Sequence, residues 1–161
     1  MVHDQARLAQ LAENLRFYGD LRFKQLTLLM GGMTALGAGV AQYSALRVPL
    51  AVSGALFTSV MWVMEVRSTL FYIAIVVEAP ELYPPRLASL FSWVNTTSSP
   101  FFLHLAFYAF WVWCAVRWSE NYWVEALGVG LGSFLVVFSL GNYWAVRKHV
   151  WAGQPKVTGA H

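Results

Sequence analysis

The chain has 161 residues, of which 58% are hydrophobic and only 12% charged, with a mean hydropathy of +0.50. Soluble domains carry about 25% charged residues, so there is too little polar surface here to cover a water-soluble globule, and lipid is the expected solvent. The net charge of +3 lies mostly outside the apolar blocks and reads as topology signal; nucleic acid is not an expected partner.

The first long apolar run starts at Leu26, after Asp4, Glu13 and Asp20. A cleavable secretory signal opens on a short basic stretch, so a retained signal anchor is expected instead. The single cysteine, Cys114, lies inside an apolar run and has no partner for an intramolecular disulfide.

Residues 3–24 have the pattern of an amphipathic helix ahead of the membrane. Leu8, Leu11, Leu15 and Tyr18 recur at three- and four-residue steps, and Leu21 extends the stripe. Such a stripe either docks on the chain's own domain or the lipid interface, or forms a short coiled-coil seam between subunits. The first span is expected over about Leu26 to Leu46. Gly31, Ala35 and Gly39 sit four apart on one face, a spacing that lets another helix backbone approach. Arg47 and Pro49 mark a very short turn, which forces an antiparallel hairpin.

The second span covers Leu50 to about Met64, closed by Glu65 and Arg67, with an apolar helical extension to residue 78. A continuous helix over 50–78 would be roughly 43 Å long, more than the roughly 30 Å hydrocarbon core, so its last part is expected to project into the cytoplasm. Residues 79–99 form the main soluble connection, broken by Pro80, Pro84 and Pro85. Asn95-Thr96-Thr97 fits a glycosylation sequon but falls on the inner side, where it is a polar loop. Ser99 as N-cap and Pro100 at the first helical position start the third span, over 100–118. Ser119, Glu120 and Asn121 make a tight turn into the fourth span, over 122–146, where Gly128 and Gly132 form a GxxxG packing element. The tail from Arg147 to His161 is expected to fray.

The predicted fold is therefore all-α: one membrane domain of four transmembrane helices with an amphipathic N-terminal helix. With the N-terminus inside, nine of the 11 Lys and Arg residues fall on the cytoplasmic side and only Arg47 and Arg117 outside. The positive-inside rule then places both termini in the cytoplasm, in the inner (plasma) membrane of a bacterium.

Ionisable and polar groups in or near the spans are the functional candidates, because burying them in lipid is costly. Glu65, Arg67 and Glu125 lie near span ends and can act as interfacial anchors; Glu65 could also line a pore or meet another subunit. His104 lies one turn inside the third span and is the one weak candidate for holding a cofactor. No second histidine falls at its depth, and no cofactor or metal is expected. Gln42 and Asn142 are expected as interhelical hydrogen-bond partners. HExxH, GxSxG, paired cysteines, paired intramembrane carboxylates and a phosphate loop are all missing from the sequence, so no enzyme activity is expected.

The segment Leu15-Arg-Phe-Tyr-Gly-Asp-Leu-Arg-Phe-Lys-Gln-Leu-Thr, the Gly/Ala-rich span after it and Trp62-Val-Met-Glu-Val-Arg67 resemble small bacterial membrane proteins similar in outline to the SLATT-type and RipA-type families. The likeness covers roughly residues 15–78 and implies a cytoplasmic N-terminal helix, a hairpin and an extended second helix. Some members are thought to oligomerise or act as membrane effectors. Those families often continue into a longer helix, whereas Pro80 to Pro85 cut it short here, and no functional residue carries over.

Two functions fit. One is a non-catalytic assembly protein, a homo-oligomer or accessory subunit whose partners are lipid, itself or other membrane subunits. The other is an oligomeric pore or channel-like effector lined by Thr34, Gln42 and Glu65. Thr34 and Gln42, eight residues apart, lie within about 80° of each other on a helix. A reporter fused at either terminus should read cytoplasmic; a periplasmic signal at only one end would refute four spans.

Overall fold

The computed structural model describes residues 2–79, 98–119 and 121–153, and every regular element among them is helical. Helix α1 spans Val2–Gln42, a 3-10 turn covers Ser44–Leu46, α2 spans Arg47–Glu78, α3 Ser98–Ser119 and α4 Tyr122–Gly153. The expected connection through Pro80, Pro84, Pro85 and Asn95, the middle of the turn at Glu120, and the tail from residue 154 lie outside the described residues.

The first helix differs from the expected pair of elements. No proline interrupts residues 2–42, and Leu, Ala, Gln and Arg dominate its N-terminal half, so the chain runs without a break through the predicted boundary at residue 25. At 1.5 Å per residue α1 is about 61 Å long and α2 about 48 Å. Both exceed the hydrocarbon thickness of about 30 Å.

These two helices lie antiparallel along their whole length. Arg7 pairs with Glu78 at one end, Tyr18 stacks on Phe71 with centroids 5.3 Å apart, and Gly39 meets Leu50 near the turn. The Leu8, Leu11, Leu15 and Tyr18 stripe is half-buried on the side facing α2, so it docks on the chain's own extension. The reversal falls at Tyr43 to Leu46, earlier than the predicted turn, with Leu46 N donating to Tyr43 O at 3.0 Å. Arg47 opens α2, and Pro49 fits in its first turn because backbone N–H groups there have no helical acceptor.

Helix α2 is the centre of the bundle, touching α1, α3 and α4. Two close approaches depend on glycine. A Cβ at Gly54 would lie 2.4 Å from the Trp111 ring, and one at Gly32 would lie 2.4 Å from the Phe57 ring. Trp111 thus lies across the backbone of α2, and its indole N–H donates to the Met33 sulfur at 2.7 Å. Met33, on α1, also lies 3.9 Å from the Thr58 hydroxyl of α2, whose proton goes to Gly54 O at 2.8 Å, so one thioether touches two other helices. Around it Leu29, Ala51, Ala55, Met61, Trp62, Tyr108 and Leu135 close the core.

Helix α3 already begins at Ser98, which puts Ser99 and Pro100 inside its first turn, so Ser99 is not the N-cap. Asn121 caps α4: its Oδ1 accepts from Trp123 N at 3.0 Å, and Glu125 follows in the positively polarised first turn. Helix α4 continues to Gly153, past the predicted end at 146.

Three stretches are long and apolar enough to cross a membrane: Ser44–Ile75, Phe101–Ser119 and Tyr122–Ala145. The C-terminal half of α1 is not among them, because Gly31, Gly32, Gly37, Gly39, Thr27, Thr34 and Gln42 dilute its hydrophobicity.

Gly128 and Gly132 face α3. A Cβ at Gly128 would lie 2.7 Å from Val112, and one at Gly132 would lie 2.8 Å from Tyr108, whose hydroxyl donates to Gly128 O at 2.7 Å. Gly130 between them has nothing within 4 Å. Replacing Gly128 and Gly132 with Leu should cost roughly 1–3 kcal/mol by overpacking. Gly130→Leu should stay within about 0.5 kcal/mol. Unfolding in mild detergent separates the two, while membrane insertion is unchanged in both.

Candidate functional site

The polar residues of the described chain gather chiefly on the lower half of the α1–α2 pair. Glu65, the expected end of the second span, is buried at 8% exposure and points at α1. Its Oε1 accepts from Arg22 Nε at 2.9 Å, Arg22 Nη2 at 2.6 Å and Thr69 Oγ1 at 3.2 Å. The Arg22 guanidinium also lies over the Tyr72 ring, 5.8 Å from its centroid. One turn along α1, Gln25 accepts from Ser68 Oγ at 3.3 Å, both residues being buried. Arg22 and Glu65 retain only 18% and 11% of their side-chain exposure. Charged groups this covered are held by pairing and by several donors at once.

Sequence reasoning singled out Glu65 but not Arg22, Gln25, Ser68 or Thr69. The available signal was the placement of Arg22 and Glu65 at the facing ends of two apolar runs joined by a tight turn. An antiparallel hairpin brings such positions together, but its register is not readable from one sequence.

A second cluster lies between α2 and α3. His104 is buried at 4% exposure, its ring 6.4 Å from that of Trp62, which also meets Phe101 and Tyr108 edge-on. Trp62 itself is 1% exposed, and its indole N–H has no hydrogen-bond partner among the described residues. No group of three or more His, Cys, Asp and Glu side chains comes together among the described residues. His104 therefore stands in an aromatic wall beside Trp62.

The other candidates are dispersed. Arg67 and Glu125 are exposed, and Gln42 is exposed at the end of α1. Asn142 donates its Nδ2 to Phe138 O at 2.8 Å, a bond within its own helix in place of the expected interhelical one. The small-residue face expected at Gly31, Ala35 and Gly39 is split. Gly39 lies 3.2 Å (from its notional Cβ) to Leu50, whereas Gly31 has nothing within 4 Å and Ala35 is exposed. The contact with α2 runs one residue over, through Gly32. Thr34 is exposed and returns its hydroxyl to Met30 O at 2.9 Å. Glu65 thus points into the hairpin, while Thr34 and Gln42 point out of it.

No family model, curated protein or solved structure matches the chain.

Removing one partner of a covered ion pair leaves the other charge unsatisfied. Arg22→Ala or Glu65→Leu alone should each cost roughly 3 kcal/mol. The double variant Arg22→Met with Glu65→Leu should recover most of that loss. Detergent-unfolding midpoints for the single and double variants check this; equal losses in all three would show that the pair is not coupled.

Proposed function

We propose that the chain is a non-catalytic, four-span bacterial inner-membrane protein that works by helix–helix assembly, as a homo-oligomer or as the accessory subunit of a membrane complex. Both termini would face the cytoplasm. The three apolar stretches supply three spans, and the C-terminal half of α1 is the fourth: it pairs side by side with Ser44–Ile75 and so lies at the same depth. An even number of spans brings both termini to one side, in keeping with the nine-to-two distribution of basic residues.

The observation that carries the assembly reading is the contrast between the helices' exposed faces. On α4 the most exposed residues are large and apolar, with Leu127, Phe134, Val137 and Trp144 each more than 60% exposed, as suits a lipid-facing surface, and the small Gly130, Ser133 and Gly141 stand between them. On α1, past the exposed Leu28 and Met30, no large apolar residue is exposed from residue 31 to 42, and the outward residues there include Gly31, Thr34, Ala35, Ala38 and Gln42. Small and hydroxylic residues are what membrane helices use against one another.

The channel reading needs Thr34, Gln42 and Glu65 on one surface. Glu65 engaged with Arg22 inside the hairpin weighs against it. The outline similarity to SLATT-type and RipA-type proteins fits assembly but assigns no role.

The test is the native mass of the protein extracted gently from its own membrane, with co-purifying chains identified. A complex of two or more chains is the expected result. A monomer at every detergent concentration would overturn the proposal.

A further inference from the structure

Four charges stand on the outward side of α1 below the membrane level, and none has an ion-pair partner among the described residues: Glu13, Arg16, Asp20 and Lys24. They alternate in sign. All four are exposed, on the side opposite the stripe that meets α2. At 100° per residue, Arg16 lies about 60° to one side of Glu13 and about 40° to the same side of Asp20. The same line continues upward through Gly31, Thr34 and Ala38, which are also exposed.

We propose that a second copy of this chain docks on this outer face of α1, parallel to the first and related to it by a two-fold axis along the membrane normal. The inference rests on the assembly reading above and names its partner. Two copies that insert with the same orientation must bring their α1 helices together in parallel. Under that symmetry a residue displaced to one side of the contact line meets residues displaced to the other side. Arg16 therefore faces the second copy's Glu13 and Asp20, offset along the axis by about 4.5 Å and 6 Å, within reach of an arginine side chain. The second copy's Arg16 faces Glu13 and Asp20 in turn. A single charge row is thus complementary to itself, as an isologous interface requires.

Further up, Thr34 would stand opposite the second copy's Gly31 by the same geometry. The absence of bulk there lets the two backbones close on each other without disturbing the charge row below. Helix α1 is free to do this because, among the described residues, its extensive contacts are with α2 and the turn that leads to it. The exterior of α4 offers no alternating charge row among the described residues, and large side chains such as Leu127, Phe134 and Val137 stand between its small ones.

The experiment uses the full-length chain in its own membrane. Cys114, the only cysteine, is changed to Ala, and single cysteines are introduced as Thr34→Cys or Val137→Cys. Oxidation should give a band of twice the monomer mass for Thr34→Cys and none for Val137→Cys. Adding Arg16→Glu should lower the Thr34→Cys cross-link about fivefold or more. The triple reversal Glu13→Arg, Arg16→Glu and Asp20→Arg should restore it. Arg16 is exposed and has no ion-pair partner among the described residues, so its reversal should leave the fold intact, and rescue by the triple variant checks that. No cross-link at Thr34→Cys, equal cross-linking at Val137→Cys, or no response to Arg16→Glu would each overturn the proposal. A Thr34→Cys product with a chain of different mass would overturn the second copy as partner yet leave the assembly reading standing. A monomeric native mass would remove both.

Discussion

The structure depends on the side-by-side pairing of α1 with α2. Once Arg22 meets Glu65, the register of two long helices is fixed, because a slip by one residue would turn each charge about 100° away from its partner. Everything above follows from that register. It sets Met33 opposite Thr58, Gly32 opposite Phe57 and Gly39 opposite Leu50. The Met33 sulfur then becomes available to Trp111, and α3 can lie across Gly54. Apolar packing alone would fix this less sharply. Leucines at three- and four-residue steps tolerate slippage, whereas a covered ion pair with three donors on one carboxylate oxygen does not.

The same pairing continues to the lower ends of the long helices. Beyond the ion pair, Tyr18 on Phe71 and Arg7 with Glu78 continue the contact to the last turn of α2. The outer bonds are exposed and individually weak. Arg7 and Glu78 are exposed, so water can satisfy whatever those bonds do not. Along the apolar upper parts of the helices the requirement is stricter. There the hydroxyls of Thr34, Thr58, Ser59 and Ser139 return to backbone carbonyls of their own helices, which keeps donors satisfied without specifying a partner. The indole of Trp62 departs from this economy, being buried without an acceptor among the described residues in the seam between α2 and α3.

Much of this was legible in the sequence, and the failures have physical causes. Helix as the only regular structure, the tight hairpin after the first apolar run and the turn at Asn121 all follow from local signals: block hydrophobicity, a proline beside a turn, a capping side chain. The break expected near residue 25 was an artefact of composition. Charge density falls there, but nothing stops the helix, and a helix ends on proline, glycine or a cap and not on a change of solvent. Which small residues of α1 meet α2 was not readable for a related reason. Gly31 and Gly32 are adjacent, which leaves two faces of small residues about 100° apart. Spacing cannot choose between them. The half-buried stripe of Leu8 to Tyr18, extended in phase through Leu29 and Met33, selects Gly32.

The use of Gly32 within the hairpin has a consequence for the outer face. Because Gly32 serves the chain's own hairpin, the face through Gly31, Thr34 and Ala38 is left over, in line with the alternating charges of Glu13, Arg16 and Asp20 below it. A face suited to lipid alone would carry large apolar side chains, such as Leu127, Phe134 and Val137 on α4. Helix α1 instead carries two specialised stripes on opposite sides. The cost of the second is visible in the composition: glycine and threonine where leucine would satisfy lipid, enough to keep this stretch out of the set of helices apolar enough to span by themselves. A segment so diluted inserts more readily beside a strongly apolar neighbour, and the short turn to α2 supplies one. On the proposed assembly, the hydrophobicity given up on the outer face of α1 is the requirement of a second helix contact.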